Sequence, residues 1–161
     1  KSPLTAIVGK LLPQTLVFWL IAILYAVYFY RFLQFPCNSG ILPMILIGML
    51  TVLGAQGLAV FLFGICGQMR LSMCLCSLWG ILSFSLAGFT FPVTAMDGIL
   101  QKLSVAFPLR HYYLLYVNQA LNGYSIAYAW RSLLAMTVFA LLPLLTLHHY
   151  RSLFLNHKYV P

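Results

Sequence analysis

Four apolar runs, each long enough to cross a bilayer and almost free of charge, dominate this sequence: about 11–33, 41–66, 71–91 and 126–147. A bilayer's hydrocarbon core is about 30 Å thick and a helix rises about 1.5 Å per residue, so roughly 20 helical residues suffice. Lipid offers backbone N–H and C=O groups no water, so each run must satisfy its own hydrogen bonds as a helix. The expected fold is all-α, a polytopic membrane bundle of four transmembrane helices.

Composition agrees. Hydrophobic residues make up 63% of the chain and charged ones 6%, against about 25% charged in soluble domains. Nine Lys and Arg face a single acid, Asp97, for a net charge of +8. The cations stand singly between apolar runs and form no basic stripe, so they read as interfacial anchors facing membrane lipid, with no nucleic-acid partner. One acid excludes paired-carboxylate catalysis and carboxylate metal clusters. No Gly-Lys-Ser/Thr phosphate loop occurs, so the chain has no visible means of binding ATP. Neither a metal nor a cofactor is expected in it. Cys37, Cys66, Cys74 and Cys76 show no pairing pattern and read as free thiols, which behave as small hydrophobes.

The first span opens with Pro13 in its first turn and ends among Tyr28, Tyr30 and Arg31, an aromatic belt with a snorkelling cation. Residues 35–40 cluster Pro, Asn, Ser and Gly and read as a turn. Within the second span, Gln56 is the polar residue, a helix-to-helix hydrogen bonder or a pathway contact. Ala55 and Ala59 are spaced to let another helix approach. Arg70 marks the next turn. The third span carries several hydroxyls, among them Ser83 and Ser85, which serve either helix packing or a face lining a pathway.

The stretch from Phe91 to Gly123 breaks the pattern. Pro92 ends the third span, and Thr94 with Asp97 fits a capping box. Ile99, Leu103 and Phe107 then recur at helical spacing, with Lys102 between them. This predicts a short amphipathic helix whose apolar face lies against the bundle, while Lys102 reaches headgroups or water. Pro108 breaks that helix, and an aromatic-rich second one is expected over 109–121, stopped at Asn122 and Gly123. Asp97 and Arg110 either pair across this hairpin or Asp97 serves only as a cap. The tail from His148 to Lys158 is polar and aromatic and reads as interfacial. Four spans put both ends on one side. Lys1, Lys10, Arg70, Arg151 and Lys158 on that side nearly balance Arg31, Lys102, Arg110 and Arg131 on the other, so charge alone barely orients the chain.

Several of these residues, in this order, carry a family resemblance. Gly88, Phe91, Pro92 and Met96 match a Gly-x-x-Phe-Pro-x-x-x-Met pattern. Leu100 with Gln101, Leu103 with Ser104, Pro108 with Leu109, and Asn122 with Gly123 follow it. Together they resemble the type-2 permeases of ATP-binding cassette (ABC) exporters, and Ser2–Thr5 with Gly9–Pro13 resembles that family's entry into its third span. The resemblance covers nearly the whole chain. It departs at Asp97, where the family often has Pro. It implies that the four spans are the last four of six, so the chain, which begins at Lys1, is read as a piece of a longer protein.

The resemblance also implies that residues 92–123 form an external re-entrant hairpin, with Gly88, Phe91, Pro92, Met96, Leu103, Pro108 and Gly123 as its gate motif. It implies cytoplasmic ends, a bacterial inner membrane, ATP held on separate ATPase subunits, and a second permease subunit, identical or different. The nearest look-alikes are drug exporters, so multidrug efflux is the implied use. An integral-membrane scaffold without a transport path is the competing class. An enzyme would need a nucleophile, base or metal set, for which His111 beside Tyr112 and Tyr113 is the sole candidate cluster.

Overall fold

A computed structural model describes residues 3–124 and 126–146. Helix α1 runs Pro3–Val27 and continues as a π-helical turn, Tyr28–Phe32. Helices α2 (Ile41–Cys66) and α3 (Met69–Leu86) follow, then α4 (Gly98–Ser104) and α5 (Pro108–Tyr116), which ends in a second π segment, Val117–Leu121. A 3-10 turn, Ile126–Ala129, leads into α6 (Trp130–Leu141). No strand occurs among the described residues. Four helical stretches are long and apolar enough to cross a membrane: Val8–Phe32, Ile41–Cys66, Met69–Leu86 and Ala127–Thr146. The tail from His148 to Lys158 lies outside the described residues.

Helix α2 is the axis of the bundle and packs against α1, α3, α5 and α6. Its closest neighbour is α6, and two glycines set that approach. A Cβ added at Gly57 would collide with the Phe139 carbonyl oxygen and lie 2.9 Å from Ala140 Cα. A Cβ at Gly54 would lie 3.5 Å from the Met136 carbonyl oxygen. Small residues let backbones touch, which is how helices associate where the hydrophobic effect gives no help. The expected Ala55 and Ala59 pair does not make this contact; both line the space between α2, α3 and α5. The next residues round the helix, Gly54 and Gly57, are buried instead. Met44, Ile47, Leu115, Ala120, Ala129 and Met136 form the buried cluster below that contact.

Helix α1 sits at the edge, packed mainly on α2, and buries none of its apolar window. Pro13 was expected in a first turn, yet it lies inside a helix that begins ten residues earlier. Its ring removes one amide donor. The carbonyl it leaves without that donor is Gly9's, on a residue where an added Cβ would meet nothing within 4 Å. The third span is also shorter than the sequence suggests. It ends at Leu86 rather than Phe91, because Gly88 takes φ +101 and turns the chain before Pro92 is reached.

Candidate functional site

The hairpin between the third and fourth spans is built from local rules. Residues 93–95 form a 3-10 turn after Pro92. Asp97, rather than Thr94, caps α4, its carboxylate accepting from the Gly98 amide at 2.9 Å. Pro108 stands at the first position of α5, where its missing N–H costs nothing. The chain therefore turns between the two short helices where the sequence places the break. At the far end Gly123 takes φ +64 and stops the second π segment.

Gln101 and His111 tie the hairpin together, while Ser104 bonds back to its own helix. Gln101 donates from Nε2 to the Val93 carbonyl at 3.0 Å. Ser104, fully buried, donates to the Gln101 carbonyl at 2.7 Å. His111 Nε2 lies 2.9 Å from the Val105 carbonyl. A carbonyl only accepts, so Nε2 carries the proton. Nδ1 is then a bare lone pair, buried with no hydrogen-bond partner among the described residues. This histidine bridges the two arms. It shows no nucleophile-base geometry with Tyr112 or Tyr113.

Aromatic contacts fasten the hairpin to the spans. Trp79 of α3 meets Phe107 at 5.1 Å between centroids, and Phe89 meets Tyr113 at 4.5 Å. Gly88 is needed twice over. Its φ lies in the region L side chains avoid, and an added Cβ would sit 3.2 Å from the Tyr113 ring and 3.1 Å from Val93. Gly123 is crowded by Asn38 at 2.9 Å. Asn38 donates from its backbone to the Ala120 carbonyl at 3.1 Å and from Nδ2 to the Leu121 carbonyl at 2.7 Å. The turn joining the first two spans thus clasps the end of the hairpin. Sequence reasoning saw Asn38 only as a turn residue. Nothing in its local pattern names a partner more than eighty positions away.

The gate motif divides. Pro108 is buried and Met96 half-buried, while Phe91, Pro92 and Leu103 are exposed. The expectation for the apolar face of α4 is corrected here. Phe107 is 3% exposed, but Leu103 is 48% and Ile99 76% exposed. The polar Ser104 turns inward instead. Lipid is as apolar as a leucine core, so an apolar stripe has no reason to choose protein over membrane. A buried hydroxyl does need a partner, and Ser104 has one in the Gln101 carbonyl of its own helix. Among the described residues no ion pair joins Asp97 to Arg110. Arg110 is half-buried, and burial pushes its pKa down from the usual guanidinium value.

Gln56, Ser83 and Ser85 do not share one site. Gln56 lines a groove of about 300 Å³ between α1, α2 and α6. Thr15 Oγ1 lies 2.8 Å from both the Leu11 carbonyl and Gln56 Oε1, while Gln56 Nε2 is buried without a partner. The hydroxyl has one proton to give. With the amide turned over, Thr15 donates to Leu11 and accepts from Gln56 Nε2, which satisfies the hydroxyl and leaves Gln56 Oε1 at the position without a partner among the described residues. Gln56 is therefore a link between α1 and α2. Ser83 is 5% exposed and lines a different cavity of about 240 Å³ between α2, α3 and α5, beside Trp79. Its hydroxyl and the Trp79 indole N–H are both buried without partners among the described residues. Ser85 is exposed and bonds back to the Ile81 carbonyl of its own helix at 3.1 Å. No group of three His, Cys, Asp or Glu side chains able to hold a metal occurs among the described residues.

The family model described as "ABC-2 family transporter protein" matches residues 1–147. Searches of curated proteins and of solved structures return no match. The matched region contains all four spans and the hairpin between the last two. The chain belongs to the ABC-2 transporter family, as a permease-type membrane component.

Proposed function

We propose that this chain is the membrane-spanning part of an ABC exporter, coupled to separate ATPase subunits that bind from the cytoplasm. The observation that carries this reading is the family match over nearly the whole chain, joined to a sequence with no phosphate-binding loop. The permease pairs with a second permease subunit and forms the substrate path with it. Its work is conformational, without covalent chemistry on the substrate. ATP acts through differential affinity for inward- and outward-facing states, since a ligand shifts an equilibrium only by that difference. The residue 92–123 hairpin lies on the external side and gates the path. Both ends face the cytoplasm of a bacterial inner membrane, and lipophilic drugs are a fitting cargo for so apolar a path.

The test is to purify the full-length permease from its native membrane and assay it with and without its co-purifying partners. An ATP-binding cassette ATPase should co-purify. ATP hydrolysis should vanish when that subunit's phosphate-loop Lys is replaced, and the permease alone should bind no ATP by calorimetry. Specific ATP binding by the permease alone overturns the division of labour. Absence of any ATPase partner supports a scaffold instead. Orientation is read separately, with an impermeant thiol reagent in intact cells on single-cysteine variants. Cys37 and Lys102→Cys should label and Arg70→Cys should not. Burial raises the Cys37 thiol pKa, so labelling is run at mildly alkaline pH.

A further inference from the structure

A cavity of about 420 Å³ opens between the end of α1, the start of α2, and α5. Tyr25, Phe29, Tyr30, Phe35, Tyr112 and Tyr116 form most of its wall. Its size falls within the range of small-molecule sites, about 300–1,000 Å³. The aromatic wall is pre-built. Tyr25 stacks on Phe29 at 5.9 Å, and Phe29 meets Phe35 edge-on at 5.7 Å. Gly48 keeps the floor low, and a Cβ added there would rest in ordinary contact, 3.8 Å from the Ala22 side chain.

Two features single this cavity out. Both π-helical segments among the described residues border it, with Tyr30 inside the first and Tyr116 immediately before the second. Such segments widen a helix by one residue and recur at functional sites. The second feature is chemical. Tyr30, Tyr112 and Tyr116 are each partly buried, and all three line this one cavity. A phenol hydroxyl both donates and accepts. Three of them on one wall give an otherwise apolar space a polar end.

No Asp, Glu, Lys, Arg or His lines the cavity. A cation entering it meets no counter-ion, in a chain of net charge +8. An anion loses its hydration without gaining a charged partner, which is costly. An uncharged molecule meets neither penalty. We propose that this three-tyrosine cavity binds one uncharged amphiphile, its hydroxyl or carbonyl head bonded to the phenols and its hydrocarbon body against the aromatic wall. The exposed Tyr25, at 61%, marks the side from which a lipid-dissolved ligand enters. The proposal rests on the cavity and is independent of the exporter reading.

The test uses the full-length protein in nanodiscs and a diazirine-bearing monoacylglycerol as probe, with labelled peptides located by mass spectrometry. Label should concentrate on residues 22–35 and 112–116 and be competed away by unlabelled monoacylglycerol. Tyr112→Phe and Tyr116→Phe keep the rings and remove the hydroxyls. Each should weaken competition by about fivefold, the ordinary worth of a hydrogen bond. Gly48→Phe should fill the floor and abolish labelling there. If that variant does not fold, the Tyr→Phe pair still decides. Label spread evenly over the lipid-facing helices overturns the proposal. So does labelling unchanged by both Tyr→Phe substitutions. Equal competition by phosphatidylglycerol or by tetraphenylphosphonium overturns its choice of an uncharged ligand.

Discussion

The two arms of the hairpin are close in length and in position along the chain, and they sit in the bundle in opposite ways. Helix α5 packs on α2, α3 and α6 and seals Leu115 at 1% exposure. Helix α4 touches little beyond α3, turns Ile99 and Leu103 outward, and buries Ser104. In water this would be an inverted helix. Beside lipid it would be a consistent one, because lipid is as apolar as a leucine core. What the contrast teaches is that close fit, more than apolarity, decides here what goes inside. Ser104 is small and is satisfied by the Gln101 carbonyl of its own helix, so it can be buried, and Gly54 and Gly57 go in because backbones can touch there.

The largest test of that contrast is truncation of the packed arm. Leu115→Ala leaves a cavity among α2, α5 and α6 and should cost about 2–5 kcal/mol. Reversible unfolding of the full-length protein in lipid should show this as a large loss of folded population. A cost under about 1 kcal/mol would mean α5 is as loosely held as α4. Next comes Gly88→Ala at the root of the hairpin. Both the φ of +101 and the Tyr113 ring oppose it, at about 1–3 kcal/mol for the backbone alone. The same unfolding measurement checks it, with Gly80→Ala as control, because space around Gly80 is open.

On the other arm, Leu103→Ala should cost well under about 1 kcal/mol, since the side chain leaves lipid or headgroups rather than a packed site. A loss matching that of Leu115→Ala would place Leu103 against a partner subunit in the assembled transporter. The smallest effect is expected at Asp97→Asn. The carboxylate only accepts from the Gly98 amide, and Asn caps a helix about as well as Asp, so the change should stay within a few tenths of a kcal/mol. A larger loss, measured in the same assay, would point to an ionic partner for Asp97.

Much of this architecture is written in the residues themselves. Run length and scarcity of charge dictate four membrane helices, because no other backbone arrangement of such segments survives in lipid. Pro92, Pro108 and Gly123 place the breaks of the hairpin, since Pro lacks an amide and Gly alone enters positive φ freely. Asp97 announces a helix start, although one turn later than a capping box at Thr94 would have it. These are local rules, and they act through covalent geometry wherever the chain goes. What the tertiary structure alone decided is which faces meet. Gly54 and Gly57 rather than Ala55 and Ala59 receive α6, Asn38 clasps Ala120 and Leu121, and three tyrosines from two distant helices enclose one cavity. In water the hydrophobic pattern would have pointed to those faces. In a membrane both sides of a helix are equally apolar, so the choice passes to fit and to hydrogen bonds between residues far apart in sequence.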